Sequence, residues 1–127
     1  MRTLTCVESV RSWPDNAAGE SVCYLTTRGR RSGRAHRIEI WFAVDSGRLF
    51  LLSGGGERAD WVRNLMREPR VSVELGGSEH AGRAHLPPPG SADDALARRL
   101  LFEKYSPDED GLEDWSRTSL AVVIEFP

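Results

Sequence analysis

Residues 37–44 read Arg-Ile-Glu-Ile-Trp-Phe-Ala-Val. Successive side chains of a strand point to opposite faces, so Ile38, Ile40 and Phe42 fall on one side and Arg37, Glu39, Trp41 and Ala43 on the other. Asp45-Ser46-Gly47 comes next, a hairpin turn signal, and Arg48 to Ser53 reads as the returning strand. This hairpin commits the middle of the chain to antiparallel β structure, and the other elements have to be compatible with it.

Four further segments read as strands: Val22 to Thr27, Val71 to Leu75 (closed by Gly76-Gly77), Glu79 to Leu86, and Leu120 to Phe126. Within the third, His80 and His85 are five apart and so take opposite faces. Two segments read as helices. Arg58 to Arg67 pairs Trp61 with Leu65 and Val62 with Met66 at i and i+4, and Pro69 ends it. Ser91 to Tyr105 opens Ser-Ala-Asp-Asp, so Ser91 can cap while the acids favour the positive helix end; Leu96, Leu100 and Leu101 form its apolar stripe. A helix does not follow each strand, which disfavours an alternating parallel fold. The expectation is a mainly β (α+β) barrel of about six antiparallel strands with two helices.

At 127 residues the chain is read as one domain, 1–127, large enough for a core without staples. Pro87-Pro88-Pro89-Gly90 is read as a stiff connector within it. No apolar run exceeds the five residues of Ile40 to Val44, far short of the roughly 20 that a membrane-crossing helix needs. Met1 to Val10 is polar and carries Glu8, which is neither a signal nor a transit pattern, so the default location is cytoplasmic. Cys6 and Cys23 are read as free thiols. Net charge is −2, which argues against a dedicated nucleic-acid binder, but the charge is uneven. Residues 1–70 hold 12 basic and 8 acidic groups, and residues 71–127 hold 5 and 11.

The densest basic feature is residues 28–37, Arg-Gly-Arg-Arg-Ser-Gly-Arg-Ala-His-Arg, in which no acid balances the five arginines. Guanidinium forks match phosphate and carboxylate oxygens two bonds at a time, and the glycines let the backbone expose amides. Such a loop suits an anionic small molecule, although a solvated basic turn is an equal reading. Ser53-Gly54-Gly55-Gly56, between a strand and a helix, allows close backbone approach but has neither dinucleotide nor P-loop spacing. Trp61 and Asn64 stand at i and i+3 on one helix. Asparagine is a poor helix-interior residue, so a buried hydrogen-bonding task would explain it; a solvent-facing Asn64 is the plainer alternative. His36, His80 and His85 lack a metal spacing, so no metal site is expected. No nucleophile elbow occurs, and neither cysteine has an evident activating partner. Anion-binding loops without acid–base groups point to a borrowed cofactor that carries the chemistry.

Leu25-Thr26-Thr27-Arg28-Gly29-Arg30-Arg31-Ser32-Gly33 resembles the TTxGRxSG signature of the deazaflavin-dependent nitroreductase family, within the split β-barrel flavin and deazaflavin oxidoreductases. The resemblance extends through the Ile38 to Val44 strand, the Ser-Gly-Gly loop, Trp61 to Leu65, Pro69-Arg70-Val71 and Trp115 to Thr118. It implies a split barrel like that of pyridoxamine phosphate oxidase. It also implies coenzyme F420, a deazaflavin with a phosphodiester and a polyglutamate tail, and hydride exchange with a small organic substrate. The cofactor-binding residues it implies are Arg30, Arg31, Ser32, Gly33, His36 and Arg37, with Ser53, Gly54 and Gly55 near phosphate and ring and Trp61 and Asn64 closing the cleft. No catalytic side chain is assigned.

Two alternatives stand beside this reading: a carrier that binds the cofactor without chemistry, and a flavin mononucleotide (FMN) enzyme on the same barrel. The family analogy, together with Trp13, Trp41 and Trp115, leads to the expectation of a homodimer. Where related chains often carry Pro-Arg after the motif, this one has Ala35-His36. The stretch after the last long helix holds one tyrosine, Tyr105, and then Asp108, Glu109, Asp110, Glu113 and Asp114. That acidity would repel anions and admit neutral or cationic molecules, and weak nitroaromatic reduction is expected from it.

Overall fold

The hairpin forms as anticipated. Asp45 pairs with Arg48, leaving Ser46 and Gly47 as the loop. Both have positive φ, 54° and 79°. That is the type I′ signature, whose twist matches that of the flanking strands. The computed structural model describes residues 12–127. The sequence reading of Met1 to Val10, Cys6 included, lies outside them.

Seven strands form one antiparallel sheet: β1 Cys23–Arg28, β2 Ala35–Ile40, β3 Ala43–Asp45, β4 Arg48–Ser53, β5 Arg70–Leu75, β6 Ser78–His85 and β7 Leu120–Glu125. Three α-helices complete the fold: α1 Asp60–Arg67, α2 Ala92–Tyr105 and α3 Leu112–Thr118. The order across the sheet is β2-β1-β5-β6-β7-β4-β3. The edge strands β2 and β3 are therefore consecutive in the chain, separated only by Trp41 and Phe42. A flat seven-stranded sheet would hold its edges about 28 Å apart, six strand spacings. Three residue steps cover at most about 11 Å. The sheet must curl until its edges meet, giving a split barrel.

The sequence reading treated Arg37 to Val44 as one strand, but the structure divides it at Trp41-Phe42, so there are seven strands instead of about six. The backbone of Phe42 is taken out of the ladder by α2. The Phe42 amide donates to Tyr105 Oη at 3.0 Å, and the Phe42 carbonyl accepts from Lys104 Nζ at 3.1 Å. Tyr105 Oη also donates to the Ser21 carbonyl at 2.8 Å. Burial pushes the Tyr105 hydroxyl up to about 12, so it remains a protonated donor. The lone tyrosine read beside a substrate is therefore a fastener of the barrel seam.

Strand β4 is buried on both faces, which accounts for its continuous apolar run. Leu49 and Leu51 point into the barrel with Leu25, Phe42, Val73, Val122 and Ile124. Phe50 and Leu52 meet Ala97 and Leu101 of α2, with Val123, on the outside. Helix α2 begins as read: Asp94 N donates to Ser91 Oγ at 3.3 Å. Helix α1 starts two residues later than read, after a 3-10 turn at Gly56–Arg58. His80 and His85 do take opposite faces: His80 stacks on Trp13 with centroids 4.0 Å apart, and His85 meets Glu125 at 3.2 Å. Among the described residues no helix is long and apolar enough to cross a membrane.

Candidate functional site

The basic segment is the connection between β1 and β2. Its ends are tied by Gly29 N to the Arg34 carbonyl at 2.7 Å and Gly33 N to the Gly29 carbonyl at 2.9 Å. Arg28 Nη1 donates to the Gly33 carbonyl at 3.0 Å, and Ser32 Oγ accepts from Arg34 N at 3.1 Å. The loop folds tightly over His36. A Cβ at Gly29 would stand 2.7 Å from His36 Nε2 and 3.0 Å from Ser32 Oγ, so a larger residue there would displace the His36 ring. Arg28 thus braces the loop from outside, and its charge is spent on a backbone carbonyl.

Helix α1 packs on β1 and supplies the loop's anchor. Asn64 is 4% exposed. Its Oδ1 accepts from Arg30 N at 3.2 Å and from Arg30 Nη1 at 2.9 Å, and its Nδ2 donates to Thr27 Oγ1 at 3.2 Å. One helix turn earlier, Asp60 Oδ1 takes Arg30 Nη2 at 3.2 Å. Of the two readings of Asn64, the solvent-facing one, plainer from the helix alone, is overturned: Asn64 is buried, and its hydrogen bonds hold the loop. Arg30 is a structural post, held at three points. Arg31 and Arg34 are exposed, and among the described residues neither enters an ion pair.

Loop, β2 and α1 together enclose an open cavity of about 630 Å³. Arg30, Arg31, Ser32, His36, Arg37, Trp61 and Asn64 all line it, as do Thr27, Asp60 and Ile38. Arg37 is drawn aside: its Nη2 reaches Glu74 Oε1 at 2.7 Å, and its guanidinium lies 4.5 Å over the Tyr24 ring. The Glu74 carboxylate keeps Arg37 protonated, shifting it above its already high value.

Four of the residues named from sequence do not line this cavity. Gly33, at φ 74°, shapes the loop. Ser53 ends β4 and Gly54 and Gly55 follow it; β4 lies across the sheet from β1 and β2, so the two glycine-rich loops do not flank hydrogen-bonded neighbours. Ser53 Oγ is spent on the Gly56 carbonyl at 3.0 Å. A Cβ at Gly54 would lie 3.5 Å from the Trp115 ring, so this loop borders a second cavity of about 500 Å³. Val22, Glu39, Ile40, Trp41, Leu52, Leu112 and Trp115 line that one. The two cavities follow one strand: β2 gives Ile38 to the first and Glu39 and Ile40 to the second.

Sequence reasoning missed Thr27 and Asp60. Thr27 shares the buried face of β1 with Cys23 and Leu25, where a hydroxyl needs a partner. Asp60 sits four residues before Asn64 on the same helix face, a spacing that was available to see. Among the described residues no group of three or more metal-ligating side chains occurs.

A model of the family described as F420H(2)-dependent quinone reductase matches residues 4–127. No curated protein matches the chain. Among solved structures, an F420-H2 dependent reductase superposes with a TM-score of 0.69 at 19% identity, covering 84% of this chain and 95% of that one. A structure described as a domain-swapped dimer gives a TM-score of 0.68 at 19% identity, covering 84% and 81%. A Listeria innocua protein classed with pyridoxamine 5′-phosphate oxidases gives 0.59 at 20%, covering 83% and 82%. These likenesses establish the split-barrel fold.

Proposed function

The chain belongs to the F420H(2)-dependent quinone reductase family, an F420-dependent oxidoreductase, and we propose that it moves hydride between F420 and a small organic acceptor. One observation carries the residue assignment. The site ties down Arg30 with Asn64 and Asp60 while leaving Arg31 exposed on the wall of a cavity of about 630 Å³, with Arg34 exposed in the same loop. A folded protein gains nothing from two unpaired guanidinium groups in one turn, but an anionic ligand does.

The residues fit a deazaflavin with an acidic, phosphate-bearing arm. Arg31, Arg34 and the Ser32 hydroxyl would hold the anionic arm, Trp61 would cover it, and Ile38 would border the planar part. When bound, the cofactor supplies a hydride donor or acceptor. The chain contributes position, a half-apolar wall and exclusion of bulk water, and the proton that a reduced quinone takes up would come from the solvent at the open cavity mouth. Substrate class is part of the proposal: the family's name specifies a quinone, and the second cavity offers an apolar aromatic seat beside β2. We also propose a homodimer, since a solved relative of this fold is described as a domain-swapped dimer.

The test is a fluorescence titration of wild type, Arg31→Ala and Arg28→Ala with F420 and with FMN, at low and moderate salt. A charge-assisted contact is worth about 1.5–3 kcal/mol, so Arg31→Ala should weaken F420 binding roughly ten- to a hundredfold. Arg28→Ala should cost much less, and salt should weaken wild-type binding. If wild type ignores F420, or if Arg31→Ala binds it undiminished, the assignment of the loop fails.

A further inference from the structure

We infer that His36 is a proton-linked contact for the anionic arm of the cofactor, so that the basic cavity takes up a proton together with its ligand and binds more tightly as the pH falls; this rests on the F420 reading above and adds a regulation of the same site.

Strand register places His36. It lies opposite Thr27 across β1 and β2, so the two side chains share one face. On that face Asn64 Nδ2 donates to Thr27 Oγ1 at 3.2 Å. The loop closes over the imidazole. A Cβ at Gly29 would stand 2.7 Å from Nε2 and 3.0 Å from Cδ2 of the ring, and Ser32 Oγ lies 3.0 Å from the same point. Imidazole and hydroxyl therefore stand side by side around one glycine, both on the wall of the 630 Å³ cavity. The Ser32 oxygen already accepts from Arg34 N, which leaves its hydrogen for a ligand oxygen. The other two histidines are committed elsewhere: His80 stacks on Trp13, and His85 meets Glu125.

One imidazole matters because this wall holds little free charge. Arg30 of the loop is paired with Asp60 of α1, and Arg37 of β2 with Glu74 of β5. Strand β1 contributes the neutral hydroxyl of Thr27. Among the described residues, Arg31 is then the one fixed charge lining the cavity that enters no ion pair. A neutral His36 leaves that single charge, and an imidazolium doubles it. Histidine is the side chain whose ordinary titration falls between pH 5 and 8. A phosphodiester and glutamate carboxylates stay ionised across that range. The charge of the arm is constant while that of the wall changes, and by reciprocity proton and ligand each favour the other.

Calorimetric titration of wild type, His36→Gln and His36→Arg with F420 at pH 5.5 and pH 8.0 tests this. His36 is exposed, and exposed charge pairs are weak. On lowering the pH, wild type should therefore gain about three- to fivefold in affinity relative to His36→Gln, in which any ionisation of the ligand's ring system remains. His36→Arg carries a fixed charge and should show no such gain. At pH 6.5, titrations in two buffers of different ionisation enthalpy should show wild type taking up a fraction of a proton more than His36→Gln. Thermal melts verify that both variants are folded. An imidazole that merely supports the loop under Gly29 would make His36→Gln weaker by the same factor at both pH values, with equal proton uptake, and that result would overturn the inference. So would a His36→Arg variant that keeps the wild-type pH dependence. Failure of wild type to bind F420 at either pH removes the reading above and this inference with it, whereas F420 binding with the pH dependence of His36→Gln removes only the role of His36.

Discussion

Asn64 sets the geometry of the basic loop, and removing its amide should show that in two measurements. Asn64→Leu keeps the volume but strands Arg30 N and the hydroxyl of Thr27, which is only 2% exposed. Leaving such groups unpaired costs about 1–3 kcal/mol, read as a lower urea midpoint at unchanged slope. Because the freed loop must be ordered again on binding, F420 affinity should fall as well, although Asn64 carries no charge. A variant with lowered stability but wild-type affinity would show that the anchor serves folding alone. At this scale the sequence was only partly legible. An asparagine inside a helix allowed a buried hydrogen bond but equally a solvent-facing side chain, and it named no partner. Arg30 and Arg31 are chemically identical and adjacent; only the fold determines that one is bound by Asn64 and Asp60 while the other is left free.

Elements were legible where one face is buried and obscure where other contacts decide. Strands β1, β4, β5 and β7 and helix α2 declare themselves through apolar pattern and caps. The break at Trp41-Phe42 does not, because Tyr105 and Lys104, more than 60 residues away, take the Phe42 backbone out of the ladder. Helix α3 was missed because its seven residues contain no apolar repeat, only Leu112 and Trp115, and it buries no residue fully. The junction between α1 and β5 yields a pH prediction. Glu68 sits between them, and its hydrogen bonds from the side chain and amide of Arg70 hold its pKa down at about 2. A carboxylate with a depressed folded pKa stabilises above its unfolded value, near 4.5, and loses that contribution as pH falls towards 2. Asp93 with Arg48 and Asp94 with Arg98 share this direction. Urea midpoints should therefore drop between pH 5 and pH 2.5, and Glu68→Gln should show a shallower drop that high salt reduces further, since the pair is exposed. An identical acid limb in Glu68→Gln would exclude this junction as a contributor.

At the scale of the whole molecule, the barrel leaves its seam-side edge uncovered. Strand β2 has pairing partners on β1 only, and its outer face is mostly exposed. Both cavities open along it, and Trp41 and Trp115 are only partly buried there. The sequence reading expected Trp13, Trp41 and Trp115 at an interface. Trp13 has an intramolecular role instead, packing edge-on against Phe126 and donating Nε1 to the Leu75 carbonyl at 2.9 Å. Trp41 and Trp115 remain candidates. An open strand edge beside half-buried aromatic rings is a place where a second copy adds walls to the cavities and shields the edge from indiscriminate pairing. Sedimentation equilibrium at tens of micromolar should give twice the 14.2 kDa chain mass. Arg substitution at Met66, an exposed apolar residue on α1, tests whether that face takes part: a monomer there would move the interface from β2 to α1. A monomeric wild type would mean that each chain completes both cavities alone, and F420 affinity would then be independent of protein concentration.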